Sequence, residues 1–259
     1  MPDFLDILAQ DALRTIREGY YETFVEARNL HLSLRKAILQ CKKTAIISEI
    51  KFFSPSLGML RENSNIARVA REMEDGGAVG ISILTEPKHF RGRPEYVAET
   101  RKEVDIPILM KDVILSRVQI EAAYRSGADV VLLIQTLFNR DYCEESVQDL
   151  IDFSHSKGIE ALLEVHTRDE FLSALKTTAD LIGVNNRDLG TLEADLNTVR
   201  HVQMGSRASD KVIIAESGIN SVDDIRLLRK TGVRAFLVGT AVMSAECIKT
   251  KVSELVEAV

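Results

Sequence analysis

With 259 residues, 45% of them hydrophobic and 28% charged, the chain is long enough for one α/β barrel or two smaller domains and too apolar to be disordered. A formal net charge of -6 argues against a general nucleic-acid binder, whose affinity would rest on a basic surface. No apolar run reaches membrane-spanning length, the first residues lack the pattern of a secretory signal, and Cys41, Cys143 and Cys247 are odd in number and far apart, so the expectation is a cytoplasmic protein with no disulfide frame, zinc site or membrane partner.

Phe4, Leu5, Ile7, Leu8, Ala12, Leu13 and Ile16 follow helical spacing, so residues 1–43 are read as a helical extension that packs against the main body or covers one end of it. Eight short runs rich in Ile, Val and Leu follow: Thr44–Ile50, Val79–Leu84, Ile106–Met110, Val130–Ile134, Ile159–Leu163, Leu181–Val184, Val212–Ala215 and Ala235–Val238. Their unbroken apolar character is that of parallel strands covered on both faces. Helical patterns lie between them. Ser64 is placed as the cap of a helix that buries Ile66, Val69, Ala70 and Met73 and ends at Gly76 and Gly77; Ser116 opens another that stops near Gly127. Asp141 to Lys157 reads as a single helix, Thr167 with Glu170 and Ser221 with Asp224 as capping boxes, and Leu196–Gln203 and Ser244–Val256 as two more helices. Eight strand-and-helix units without a large gap, and no Gly-x-Gly-x-x-Gly turn after any strand, predict one closed (β/α)8 TIM barrel domain over residues 1–259 with extra N-terminal helices.

Such a barrel carries its site at the C-terminal ends of the strands, and several runs end there in a polar residue. The first gives Glu49 and Lys51, which project from one strand face as an ion pair or as one side of a polar site. The third gives Lys111, the fifth Glu164, the sixth Asn185 and Arg187, and the seventh Glu216 and Ser217. Singly, each has a plainer reading as a solvated loop or turn residue. Two Lys, two Glu, an Asn and an Arg on one rim point together to a site. Ser217-Gly218 and Gly239-Thr240 follow the seventh and eighth strands, where barrels bind phosphate through backbone N–H groups, with Ser56 and Arg187 as added donors. His166, without a second His or Cys nearby, is read as a structural or loop residue rather than a metal ligand. Phe52, Phe53 and Phe90 are placed either at an apolar mouth or in the core.

These residues resemble the indole-3-glycerol-phosphate synthase family. The resemblance runs from about Thr44 to Met243 through Glu49-Ile50-Lys51, Ser54-Pro55-Ser56 and Gly58, Leu84-Thr85-Glu86-Pro87, Lys111-Asp112, Leu162-Leu163-Glu164-Val165-His166, Asn185-Asn186-Arg187-Asp188-Leu189, Glu216-Ser217-Gly218-Ile219 and Phe236-Leu237-Val238-Gly239. It implies cyclisation of 1-(2-carboxyphenylamino)-1-deoxyribulose 5-phosphate with loss of carbon dioxide and water, and without metal or organic cofactor. It further implies Lys111 as the acid at the carbonyl, Lys51 as partner of the substrate carboxylate or as an acid in the dehydration, Glu164 as acid/base in the dehydration and Glu49 as a positioning group. Asn185, Glu216 and Phe90 fall on the substrate side, and Ser56, Arg187, Ser217, Gly218, Gly239 and Thr240 on the phosphate side. Val113 stands where the family usually has Phe, Met110 where Arg is frequent, and Thr240 where Ser is commoner. Two rival readings keep the barrel: a Schiff-base enzyme using Lys111 or Lys51, and a phosphate-binding subunit without turnover.

Overall fold

Alternation along each apolar run is what closes this chain into a barrel, and it is visible in which residues meet. In the computed structural model, which describes residues 2–22, 27–28, 30–61, 65–188, 190–203 and 211–258, eight parallel strands form one closed ring. They are β1 (Ala45–Ile50), β2 (Gly80–Leu84), β3 (Ile108–Lys111), β4 (Val130–Ile134), β5 (Glu160–Val165), β6 (Leu181–Asn185), β7 (Val212–Glu216) and β8 (Ala235–Val238). Each pairs with its neighbour in sequence, and β8 returns to β1 with Ala45 opposite Ala235. Every second residue faces the barrel axis: Ala45 and Ile47, Leu109, Val130 and Leu132, Leu162, Leu181, Val212 and Ile214, and Ala235 and Leu237 form one cluster. The residues between them, such as Ile46, Ile83, Met110, Leu133 and Phe236, pack outward with the surrounding helices.

Four strands extend one or more residues past the end of the apolar run, and the added residues are the polar ones: Lys111 closes β3, Asn185 closes β6, Glu216 closes β7, and Glu164 lies within β5. An apolar-run criterion stops at the first polar residue. The hydrogen-bond ladder does not, because an inward polar side chain at the barrel mouth leaves the backbone pairing intact.

The helices differ from expectation in identifiable places. The helix read over Asp141–Lys157 is present but shorter: α7 (Val147–Ser156) begins where Ser146 and Asp149 form a capping box, and a separate α6 (Gln135–Asn139) follows β4 directly. Helix α4 (Glu95–Arg101) was missed because only Val97 and Ala98 supply its buried apolar face. A short hairpin pairs Phe53–Ser54 with Gly58–Met59 and was also missed. Ser64 lies outside the described residues; Asn65 caps α3 (Ile66–Asp75) by accepting from the Arg68 N–H. The remaining predicted helices are α5 (Arg117–Ser126), α8 (Arg168–Ala174), α9 (Asn197–Gln203), α10 (Val222–Arg229) and α12 (Ile248–Val256), with a short α11 (Thr240–Met243) after β8.

The extension covers both ends of the barrel. Helix α1 (Phe4–Arg17) lies over the C-terminal mouth and is tied to the loops after β2 and β4: Asp11 meets His89 at 2.9 Å, and Arg140 meets Asp3 and Asp6 at 2.8 and 2.7 Å. Helix α2 (Leu34–Gln40) plugs the other end, where Leu34 lies against Gly80 and the Glu160 carboxylate accepts from Ser33 and from the Arg35 N–H.

Candidate functional site

At the mouth, β1, β3, β5 and β6 each direct a polar side chain inward, into a cavity of about 380 Å³. Its wall includes Glu49, Lys51, Lys111, Glu164, Asn185, Arg187, Ser217, Gly218, Gly239 and Thr240, together with the apolar side chains of Leu8, Phe90, Val113, Leu132 and Ile134. The size and mix of surfaces suit a small molecule with one apolar and one charged end.

Glu49 is the hub of the charged cluster. One carboxylate oxygen lies 3.0 Å from Lys51 Nζ, and the other 3.4 Å from Lys111 Nζ. Lys111 Nζ also donates to Glu216 Oε2 at 2.9 Å. Burial by itself raises the Glu49 pKa, but the two ammonium groups outweigh it, so the carboxyl is held below its usual range. Burial works against the charge on Lys111 as well. Glu216, Glu49 and Glu164 more than compensate, and its pKa rises, which keeps the ammonium protonated.

Glu164 and Glu216 behave differently. Burial pushes both up, Glu216 to about 7, and the charge on Glu164 adds to the rise at Glu216. Lys111 and Asn185 favour the ionised form of Glu164 against that burial without overcoming it. The barrel makes room for these carboxylates through glycine. A Cβ on Gly239 would stand 2.4 Å from Glu49 Oε1, and one on Gly183 would stand 2.0 Å from Glu216 Oε1. Gly239, read from sequence as a phosphate-side residue, thus also carries the space that Glu49 fills.

Most of the predicted residues converge here, with differences in detail. Ser56 is exposed in the hairpin after β1, hydrogen-bonded to Ser54 at 3.1 Å, and does not line the cavity. Glu216 reaches the cluster through Lys111 and Glu164 from behind the cavity wall. Of the three phenylalanines only Phe90 lines the cavity; Phe52 packs on Tyr96 with ring centres 5.8 Å apart, and Arg91 stacks over Phe53 at 4.3 Å. His166 follows β5 with its Nε2 3.4 Å from Glu164.

Some contributors were given no role from the sequence. Leu8 of α1 lines the cavity, but helical spacing alone does not say which apolar residue faces it. Asp112 is buried beside Lys111, accepts from Thr85 at 2.6 Å and from Tyr21 at 3.0 Å, and is pushed by burial up to about 6. Glu86 accepts from the N–H groups of Lys88, His89 and Phe90, which sets the loop presenting Phe90. Asn186 donates to the Ser217 carbonyl at 3.1 Å and ties the loop after β6 to the loop after β7.

A family model described as indole-3-glycerol phosphate synthase matches residues 8–255. An indole-3-glycerol phosphate synthase of Methanopyrus kandleri is 43% identical over 231 residues, covering 87% of this chain and 87% of that protein. Those of Thermococcus kodakarensis and Aquifex aeolicus are both 38% identical, covering 86% and 90% of this chain and 97% and 89% of theirs. Among solved structures, a thiamine phosphate pyrophosphorylase from Pyrococcus furiosus superposes with a TM-score of 0.62 at 20% identity, over 87% of this chain and 97% of that one, a likeness of fold alone. With a family match across nearly the whole barrel and relatives at this level of identity, the chain belongs to the indole-3-glycerol phosphate synthase family.

Proposed function

We propose that the chain closes the indole ring of 1-(2-carboxyphenylamino)-1-deoxyribulose 5-phosphate with Lys111 as the acid at the ribulose carbonyl. The observation that carries this reading is the Lys111 ammonium: buried, kept charged by three carboxylates, and facing the cavity. Ring closure makes an alkoxide from the carbonyl oxygen, and a fixed ammonium both stabilises that charge and supplies its proton. Lys51 pairs with the substrate carboxylate until carbon dioxide leaves. Glu49, between the two ammonium groups, fixes their positions. Glu164 then serves as acid/base in the dehydration, supported by its raised pKa and its place in the cavity wall.

Leu8, Phe90, Val113, Leu132 and Ile134 form the apolar wall that suits the aromatic ring. Arg187, Ser217, Gly218, Gly239 and Thr240 form the opposite side, assigned to the phosphate, with Ser56 joining them on movement of its hairpin. The chemistry assigned to these groups uses no metal or organic cofactor. We also read the protein as cytoplasmic and not a nucleic-acid binder, on its three free cysteines and its net charge of -6. Among the described residues no helix is long and apolar enough to cross a membrane.

The rival Schiff-base reading needs a lysine whose pKa is lowered, the reverse of the shift at Lys111. Borohydride reduction during turnover separates the two. An acid role leaves the protein mass unchanged, whereas a substrate adduct on Lys111 would overturn the proposal.

A further inference from the structure

The family's reaction has a proton balance that the charged cluster alone does not meet. The substrate enters with an ionised carboxylate and that group leaves as neutral carbon dioxide, so each turnover takes up one proton from solvent beyond the atoms of product, carbon dioxide and water. Glu164, the proposed acid/base, is buried at 2% exposure, and a substrate filling the cavity it lines would cover it from that side. His166 stands next to it. The residue is partly exposed and is followed by three exposed residues, while Nε2 is fully buried, makes no hydrogen bond, and points to Glu164 Oε1 at 3.4 Å. A buried ring nitrogen left without a partner is uncommon, and this one is aimed at a reacting group.

We infer that His166 is a positioning residue that carries the incoming proton from solvent to Glu164. In this step a proton binds Nδ1 from water, the Nε2–H bond breaks, and the proton passes to Glu164 Oε1 as the ring returns to neutral; exchange with water restores the starting tautomer. A separation of 3.4 Å is long for transfer, and such contacts tighten once substrate is bound.

The surroundings suit a ring that is neutral at rest and charged in passing. Glu164 faces it from β5, Glu170 from α8 with an oxygen 3.9 Å from Nδ1, Glu216 from β7, Asp188 from the loop after β6, and Lys111 from β3. Thr136 of α6 lies 3.5 Å from Nδ1. Burial lowers the histidine pKa against the pull of Glu170, Glu216 and Asp188, which would stabilise a transient imidazolium. Glu170 is occupied otherwise, accepting from Thr136 and from the His166 and Thr167 N–H groups, and this fixes the ring's base.

This inference rests on Glu164 being the acid/base, so the test carries a control for that. Turnover of His166→Asn and His166→Gln is followed by indole fluorescence from about pH 6 to 9, with and without added imidazole, beside Glu164→Gln. The expected result is kcat lower by roughly 10- to 100-fold with KM unchanged, a deficit that grows with pH, and partial recovery with imidazole that the unsubstituted enzyme does not show. Unchanged kcat and pH profile in both histidine variants would overturn the relay, as would a loss that imidazole does not relieve. Full activity in Glu164→Gln would instead remove the underlying assignment.

Discussion

Glu49 can meet Lys51 at 3.0 Å and Lys111 at 3.4 Å because Gly239 has no side chain. A methyl group there would displace the carboxylate, so Gly239→Ala is expected to lower kcat by about 100-fold, the scale of a misplacement of an ångström or so, while circular dichroism stays native. The pH dependence of stability is set partly by Glu216. Its folded pKa of about 7 lies above the ordinary 4.5, so the folded state holds the extra proton between these values, and stability present below 4.5 is lost as pH rises through 7. Glu216→Gln removes that loss. Its urea midpoint relative to the unsubstituted protein is therefore expected to improve as pH rises from about 4.5 to 8; a constant difference would contradict the raised pKa. At this scale the sequence was informative about which residues gather, since charged residues at the ends of apolar runs are few and conspicuous. It was silent on the partnerships. That Lys111 bonds with Glu216, or that Gly183 makes room for a carboxylate, depends on neighbours brought together across the barrel axis.

Between elements, the clearest contrast is between the two helices of the extension, which look alike in sequence and sit at opposite ends of the barrel. Leu34 of α2 is buried against Gly80 at the end remote from the site. Leu34→Ala is expected to cost about 2–5 kcal/mol in unfolding free energy and to leave kcat and KM unchanged. Leu8 of α1 borders the cavity, and Leu8→Ala is expected to raise KM with a smaller effect on kcat, because it removes a wall against the proposed aromatic-ring position. Equal kinetic effects from the two would contradict the assignment of α1 to the mouth and α2 to the base. The strands were legible because burial on both faces leaves a continuous apolar run, and their true ends were not, because Lys111, Asn185 and Glu216 continue the ladder while facing inward. Helix α4 lacks the apolar residues that would mark it, and the start of α7 was blurred because Tyr142 and Cys143, which border the interior cluster from the preceding loop, carry the apolar pattern back toward Asp141.

Across the whole molecule, a largely apolar barrel interior below and a charged rim above divide stability from chemistry. Ala45, Ile47, Leu109, Leu132, Leu162, Leu181, Ile214 and Leu237 fill the axis, and the next inward positions toward the mouth include Glu49, Lys111, Glu164 and Glu216. Desolvated carboxylates at that boundary are what keep a buried lysine protonated, and the proposed reaction turns on that lysine's proton. The most direct test is the growth of indole fluorescence from 1-(2-carboxyphenylamino)-1-deoxyribulose 5-phosphate by Lys111→Ala, run beside the unsubstituted enzyme with thermal melting of both. Fluorescence growth reduced by at least about 100-fold in a variant that still melts cooperatively is the predicted result; turnover at the unsubstituted rate would contradict the assignment of Lys111 as the acid.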